Sequence, residues 1–462
     1  MHSFLIHNPY SSIEYRTETA YSEYNTMTMT KPILLVLLLI PSVIMSLSSS
    51  VSTRKFDLVV YGATGFTGQL AVDYVQKNYP NLKFALAGRN EAKLEKVRHE
   101  VCGSASNVEI IVADAVKNPE SLDEIAASTK VIANYAGTPF IDKALPVVEA
   151  CARHGTCYTD ITAEVPFQRV SYDRYHRLAE TSGALILHAC GYDSVPSDLG
   201  AMLAADAMKE RYGCDCESIE LVAGDSSGAV SGGTIHTGMK LLFDGTNLPG
   251  MKECKVRGRY GLDPEGATGG PDKANSVMFA KYDSVAKTYV VPFIMAGANA
   301  PVVRKTNALL GYRYGKNCSY REVQAVPNLV AGLVGMLGFG IFGFAFVFPP
   351  TRWLLLKYVL PKPGEGPSKE QQDNGYFTSH IYAVGERDDK PLVKAYFKSG
   401  NAGDPGYKAT ARMSIEASLC MALERDSCAK GGVLTTATGL GMTLVDRLNK
   451  TGMKIGVEAP SP

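Results

Sequence analysis

The run Phe56-Asp57-Leu58-Val59-Val60-Tyr61-Gly62-Ala63-Thr64-Gly65-Phe66-Thr67-Gly68 leaves this chain few options. An apolar stretch ends in three glycines. Leu70, Ala71, Tyr74 and Val75 then recur at helical spacing and share one face. Strand, glycine turn and helix, in that order, is the setting in which such a triplet signifies dinucleotide binding. Gly62 supplies the tight turn, Gly65 lets backbone approach a pyrophosphate, and Gly68 lets the helix pack closely on the strand. Ala63, Thr64, Phe66 and Thr67 complete the loop, and the helix N-terminus offers N–H groups and a positive dipole end to phosphates. The spacing is G-x-x-G-x-x-G, a variant of G-x-G-x-x-G that also occurs among NADP-dependent reductases.

The pattern after the triplet repeats strand and helix. Lys83 to Ala87 reads as a second strand, and the next residues are Gly88-Arg89-Asn90. An acidic residue at this distance from the glycines would grip the ribose 2′-OH of NAD. Arg89 occupies the position instead, with Lys93 one turn on, which suits a 2′-phosphate and favours NADP(H) over NAD(H). Val108 to Ala113 is a third strand ending at Asp114, where a contact near the adenine is expected. Lys130 to Ala133 is a fourth, leading into Asn134-Tyr135-Ala136-Gly137 beside the nicotinamide half. Cys157 to Thr162 and Ala184 to Ala189 are the fifth and sixth, separated by a helix over Tyr172 to Thr181. Six strands alternating with helices specify a doubly wound parallel sheet.

The runs CGYDSVPSDLG (190–200), DITAE (160–164), SGGTIHTG (231–238), GDPGYKATARM (403–413) and GGVLTTATGLG (431–441) resemble the saccharopine dehydrogenase-like oxidoreductase family. The branch called trans-acting enoyl reductases is the nearest likeness, and the resemblance runs from about Phe56 to Ile455. It implies an NAD(P)H-dependent oxidoreductase whose second domain covers the cofactor and builds the substrate site. Two blocks depart from the family pattern. Ala163 stands where a glycine is usual, and NYAGTPF carries an extra residue between glycine and proline.

Beyond Gly200 the rhythm changes. Ser218 to Ala223, Ser276 to Phe279 and Thr288 to Pro292 read as strands, with a helix over Thr237 to Phe243. No charged residue occurs from Val323 to Thr351, and 329–348 is a 20-residue apolar and glycine-rich run followed by Pro349-Pro350 and the only tryptophan, Trp353. That length can cross about 30 Å of hydrocarbon, and tryptophan favours the membrane boundary. A monotopic hairpin is expected, because globular pattern resumes at Tyr376; a buried core helix is the alternative. Lipid-droplet-associated members of the resembling family point the same way. Near the N-terminus, Lys31 precedes the apolar run 32–45 and serines follow it, the pattern of a signal peptide or signal anchor; an organelle transit segment is the alternative.

These readings assemble into an α/β chain: a Rossmann-type doubly wound parallel sheet with a second α+β domain and an apolar membrane-associating insertion. The expected divisions are a polar leader (1–28), the signal segment (29–53), the NAD(P)-binding domain (54–205), the α+β substrate domain (206–325) and the apolar segment (326–362). Residues 363–462 complete the second domain and return helices to the first. Balanced charge, 47 basic against 46 acidic residues, leaves no footprint for nucleic acid. Ten scattered cysteines without a C-x-x-C pair give no metal site or disulfide framework.

Hydride transfer needs a proton donor and a polarised acceptor. Tyr135, Asp160, Glu164, Tyr192 and Asp193 all fall just after strands of the one sheet and are the candidate catalytic residues. Asp193, Ser194 and Asp198 are equally suited to capping the next helix, and His188 reads as a satisfied core residue. The expected function is reduction of a lipid-like enoyl or carbonyl substrate at an endoplasmic reticulum, lipid-droplet or plastid surface, with a homodimer left open. The competing reading is a membrane or lipid-droplet protein that keeps the nucleotide fold and catalyses nothing.

Overall fold

The computed structural model describes residues 54–137, 139–228, 232–243, 247–267, 270, 274, 276–362 and 366–460. The leader and signal segment lie outside the described residues, as does Thr138.

Seven parallel strands form the first sheet: β1 (Phe56–Tyr61), β2 (Phe84–Gly88), β3 (Glu109–Val112), β4 (Thr129–Asn134), β5 (Cys157–Asp160), β6 (Leu185–Leu187) and, far along the chain, β13 (Gly432–Leu434). Their order is β13-β6-β5-β4-β1-β2-β3. Alternate residues of β1 enter different cores. Leu58 and Val60 pack on one side, Val59 and Tyr61 on the other, so the sheet is covered on both faces, as parallel sheets require. The helices between these strands are α1 (Phe66–Asn78), α2 (Glu91–Val97), α3 (Ser121–Ser128), α4 (Leu145–His154) and α5 (Val165–Ser182). α6 (Val195–Tyr212) leaves the sheet and enters the second lobe.

That lobe is a mixed sheet of β14 (Lys454–Val457), β12 (Leu392–Lys398), β11 (Tyr376–Gly385), β7 (Cys216–Ser227), β10 (Ser319–Val326), β9 (Thr288–Pro292) and β8 (Lys281–Asp283), in that order. β11 alternates buried and half-buried residues, the mark of a sheet with one face on the core. The remaining helices are α7 (Gly232–Phe243), α8 (Met251–Arg257), α9 (Ala296–Leu309), α10 (Leu329–Val347), α11 (Pro349–Leu354), α12 (Lys369–Asn374), α13 (Lys408–Leu423), α14 (Thr436–Gly439) and α15 (Met442–Lys450). α13 returns to the first lobe, where its Ser418 hydroxyl meets Thr159 of β5 (2.8 Å) and Glu416 accepts from Tyr74 of α1 (2.7 Å).

Three expectations need correcting. The first sheet has seven strands because β13 adds beside β6, pairing Val433 with Ile186. Ser276 to Phe279 is no strand: Met278 and Phe279 are 67% and 73% exposed, and pairing with β9 begins only at Lys281. The buried-helix alternative for the apolar run also fails. Gly332 is the single buried residue of α10, while Val330, Val334, Leu337, Ile341 and Phe344 each stand more than 60% exposed.

Candidate functional site: the carboxyl edge of the parallel sheet

The glycine cradle follows directly from backbone geometry. Gly62 turns at φ +81°, and a Cβ there would sit 2.4 Å from the Ala136 nitrogen, so β1 and β4 approach backbone to backbone. Ala63 is buried, and Thr64, Phe66 and Thr67 are half-buried around the turn. Gly65 is the N-cap of α1; no side chain caps that end and no acid lies in its first turn. Its N–H groups and dipole therefore face the open side of the loop, where an anion belongs. A Cβ on Gly65 would meet the Gly62 carbonyl at 3.3 Å and otherwise point into that space. These are the demands a bound pyrophosphate makes, and the residues fit it.

Arg89 and Lys93 are exposed at the end of β2, where Asn90 caps α2 by accepting from the Lys93 N–H (2.9 Å). Asp114 lies opposite at the end of β3. The N–H groups of Lys117 and Val116 hold its carboxyl below the usual range, with Arg89 contributing. Asn134 is fully buried: its Oδ1 accepts the Ala136 N–H (2.8 Å) and its Nδ2 donates to the Tyr158 hydroxyl (2.9 Å). Asn134 thus shapes the loop bearing Ala136 and Gly137. Gly137 itself is packed under the Phe140 ring, 2.5 Å from where a Cβ would lie.

The candidate proton donors fall into two groups. Asp160 and Glu164 are buried and already occupied. Asp160 Oδ2 takes the Tyr158 hydroxyl (3.0 Å) and His188 Nδ1 (2.6 Å), while Oδ1 takes the N–H groups of Thr162 and Ala189 (both 3.1 Å). Ala189 stands at φ +56°, left-handed backbone for a residue with a Cβ, so Asp160 clamps the turn that launches residues 190–194. His188 is satisfied on both sides, its Nε2 lying 2.7 Å from the Ser171 hydroxyl. Glu164 receives the N–H groups of Phe140 (2.7 Å) and Ile141 (2.9 Å). Burial pushes its carboxyl up and those two donors pull it back. The sequence reading offered both acids as proton donors; their geometry is that of positioning residues.

Tyr135, Tyr192 and Asp193 form the second group. Tyr135 shares a hydrogen bond with Ser414 of α13 (2.5 Å), and burial pushes its phenol up. Tyr192 packs edge-on to Phe377 of β11 (4.7 Å between centroids), and its N–H donates to Thr410 of α13 (3.0 Å). Its phenol is pushed up by burial, then by the charges of Glu322 and Asp193. Asp193 is half-buried, and burial alone pushes its carboxyl up to about 6. Among the described residues no donor reaches that carboxylate. Asp198, expected as a helix cap, instead binds Thr306, Thr436 and the Ala437 N–H.

Sequence reading assigned no role to Thr410, Ser414 or Phe377. The block GDPGYKATARM contained the first of them and was a signal. Its Asp404 accepts from the N–H groups of Tyr407 and Lys408 (both 3.0 Å) and so fixes the start of α13 against the site.

A parallel nucleotide-binding sheet with a glycine cradle at its carboxyl edge, roofed by a second sheet, defines an NAD(P)-dependent oxidoreductase. Residues 58–187 match the saccharopine dehydrogenase NADP binding domain. A Mycobacterium tuberculosis protein named trans-acting enoyl reductase is 33% identical over 425 residues, spanning 88% of this chain and 99% of that relative. Its Mycobacterium leprae counterpart is 33% identical over 424 residues, 87% and 98% of the two chains. Saccharopine dehydrogenase (L-Glu forming) from Saccharomyces cerevisiae shares the fold, with a TM-score of 0.51 at 13% identity over 87% of this chain and 99% of that one. The chain belongs to the saccharopine dehydrogenase-like oxidoreductases, with the trans-acting enoyl reductases among its relatives, and its first lobe is an NADP-binding domain.

Proposed function

We propose that the protein reduces a lipid-like enoyl or carbonyl substrate with NADPH, at the surface of a membrane or lipid droplet. The observation that carries the chemistry is Asp193: a carboxyl with no hydrogen-bond donor among the described residues, pushed up to about 6, at the carboxyl edge of the cofactor-binding sheet. Such a group is about half protonated near pH 6, where it can give a proton away and take one back. The preference for NADPH rests on Arg89 and Lys93, whose charges suit a 2′-phosphate.

When bound, NADPH supplies the hydride. In an enoyl substrate the electron pair to be stabilised would lie along the α-carbon and the carbonyl oxygen. Tyr192 donates a hydrogen bond to that oxygen. Asp193 passes its proton to the α-carbon and regains one from solvent, leaving a saturated product. Tyr135, tied to Ser414, orients the loop beside the nicotinamide. Asp160 and Glu164 hold the two loops in register.

The lipid part of the proposal is supported by α10, 19 residues with a mean hydropathy of 2.2 and nearly all of its surface bare. An apolar face of that size is unusual on a soluble monomer. The test is NADPH oxidation by the purified full chain with phosphatidylcholine vesicles carrying a long-chain enone or an enoyl thioester. Turnover dependent on the enone supports the reading. Tight NADPH binding with no turnover of either compound, or of a total lipid extract, would leave the non-catalytic alternative standing.

A further inference from the structure

The apolar hairpin is joined to the catalytic edge by two short routes. The first is α7. A Cβ on Gly228, just past β7, would lie 3.1 Å from Pro405 Cδ and 3.8 Å from Asp404 Cβ, beside the start of α13. α7 begins at Gly232 and ends at Phe243, whose ring lies 6.5 Å from that of Phe346 in α10. The Arg352 guanidinium of α11 covers the same ring at 4.3 Å. Five residues later Leu248 is buried with Phe140 and Phe167, and five residues reach at most about 18 Å.

The second route leaves the hairpin. Past the hairpin, a Cβ on Gly366 would lie 2.5 Å from the Phe66 ring. Phe66 opens α1 and meets Tyr407 edge-on at 5.2 Å. From Leu360 to Gly366 the chain can span no more than about 22 Å. At its other end α10 is seated on the second sheet, with Gly332 against Ala280, Val291 and Val326. Seated there and tethered by both routes, the hairpin is held within a short reach of the carboxyl edge. Leu242 and Phe243, at the end of α7, are 55% and 41% exposed and continue the apolar surface of the hairpin through the Phe243–Phe346 ring contact.

We propose that the seam where α7 meets the hairpin is the substrate port: an acyl chain dissolved in the lipid layer reaches the carboxyl edge past Leu242 and Phe243 without crossing water. This rests on the reading of the site as a lipid reductase and goes beyond it by assigning the entrance and the residues that select for a long apolar tail. A tail that stays in lipid on the way in keeps its hydrophobic burial. A polar group at the threshold would tax only substrates that carry such a tail.

Two measurements on the full chain test it. The first is photo-crosslinking in phosphatidylcholine vesicles that carry a long-chain enone with a terminal diazirine. Peptides spanning 237–243 and 342–353 should carry the label, whether or not the enone is reduced. Label confined to other surfaces, or none above a protein-free background, would overturn the port. The second is Phe243→Asp, with vesicle flotation as a control for docking. Reduction of a long-chain enone should fall about tenfold or more in kcat/KM, while a short-chain enone in buffer is far less affected and flotation is retained. Equal loss for both enones, or loss for neither, would overturn the assignment. If the unaltered protein reduces neither enone, the reductase reading fails and the crosslinking result still decides the port.

Discussion

Gly68 in α1 lies so close to the Gly62 carbonyl that a Cβ on it would fall 2.3 Å from that oxygen. The contact is backbone on backbone, so nothing can yield except the turn itself. Gly65 differs, since a Cβ there would meet the Gly62 carbonyl at 3.3 Å and the Tyr135 carbonyl at 4.0 Å and nothing else within 4 Å. The two substitutions should therefore separate. Gly65→Val keeps the fold, by circular dichroism and thermal unfolding, and loses NADPH binding in calorimetry. Gly68→Val lowers thermal stability as well. Retained NADPH affinity in Gly65→Val would remove the cradle from the site.

Cofactor choice is the second expectation. Arg89 is exposed, so it attracts phosphate through solvent-screened charge and a directional fork rather than through burial. NADPH should bind more tightly than NADH, and the margin should shrink as salt is raised. Arg89→Asp should erase or invert it. Equal dissociation constants in the unaltered protein would end the assignment of Arg89.

The third concerns pH. Asp193 serves as an acid only while protonated, and its carboxyl is pushed up to about 6. Turnover should be flat below that value and fall about tenfold per unit above it. Asp193→Asn should lower kcat about 10²-fold or more and flatten the profile, with NADPH affinity unchanged. The stability sign runs the other way for this residue. A carboxyl raised above its unfolded value of about 3.9 costs stability as pH rises from there to about 6 and nothing further above it, so the Asn variant should be at least as stable as the parent at pH 8. A variant that unfolds instead would mark Asp193 as structural.

The first lobe was legible because its signals are local. A strand, a glycine turn and a helical face sit within about two dozen residues, and each strand end announces the next turn. What escaped depends on contacts across the chain. β13 is three residues long and is a strand only because β6 lies beside it. Asp160 looks like any acid after a strand until His188, 28 residues on, is found against it at 2.6 Å. Thr410 and Ser414 reach the site only because α13 folds back more than 200 residues after Tyr192 and Tyr135 leave their strands. The second sheet was read in part, since its strands alternate weakly and β8 is three residues long.

Lys305 on α9 offers a further check on burial. Its ammonium lies over the Tyr172 ring at 4.6 Å, with a single backbone partner, Val433 O at 3.2 Å. Burial, then Arg169, lowers its pKa to about 7, while the charges of Asp198 and Asp263 pull the other way. An unfolded lysine keeps its proton up to about 10.4, so between pH 7 and 9 the unfolded chain binds more protons and stability gains with pH. Lys305→Met should remove that component, and the stability difference between variant and parent should narrow steadily from pH 7 to pH 9. A constant difference would mean that the lysine is charged throughout.

Lipid docking is the expectation that separates the two readings of the whole molecule. The exposed side chains of α10 point in all directions around the helix, with Leu333, Val334, Leu337, Phe339, Ile341 and Phe342 all more than 40% exposed. An in-plane amphipathic helix would keep one polar face; this one has none, which suits immersion in hydrocarbon. Beyond it, Lys357 lies over the Trp353 and Tyr358 rings at 4.5 and 4.9 Å, an aromatic and cationic group of the kind that sits at a membrane boundary. The chain without residues 1–50 should therefore float with vesicles and resist carbonate washing. Arginine in place of Gly338 and Phe342 should release it, since each charge in hydrocarbon costs about 2.5–3.5 kcal/mol on insertion scales. A Cβ on Gly338 meets nothing within 4 Å, and the Phe342 ring stacks on Phe346 of the same helix at 6.1 Å. Loss of flotation with unchanged thermal unfolding and unchanged NADPH affinity would assign α10 to lipid alone. A truncated chain that stays in solution at every vesicle concentration would remove the lipid surface from the proposal and leave the bare helix to a protein partner.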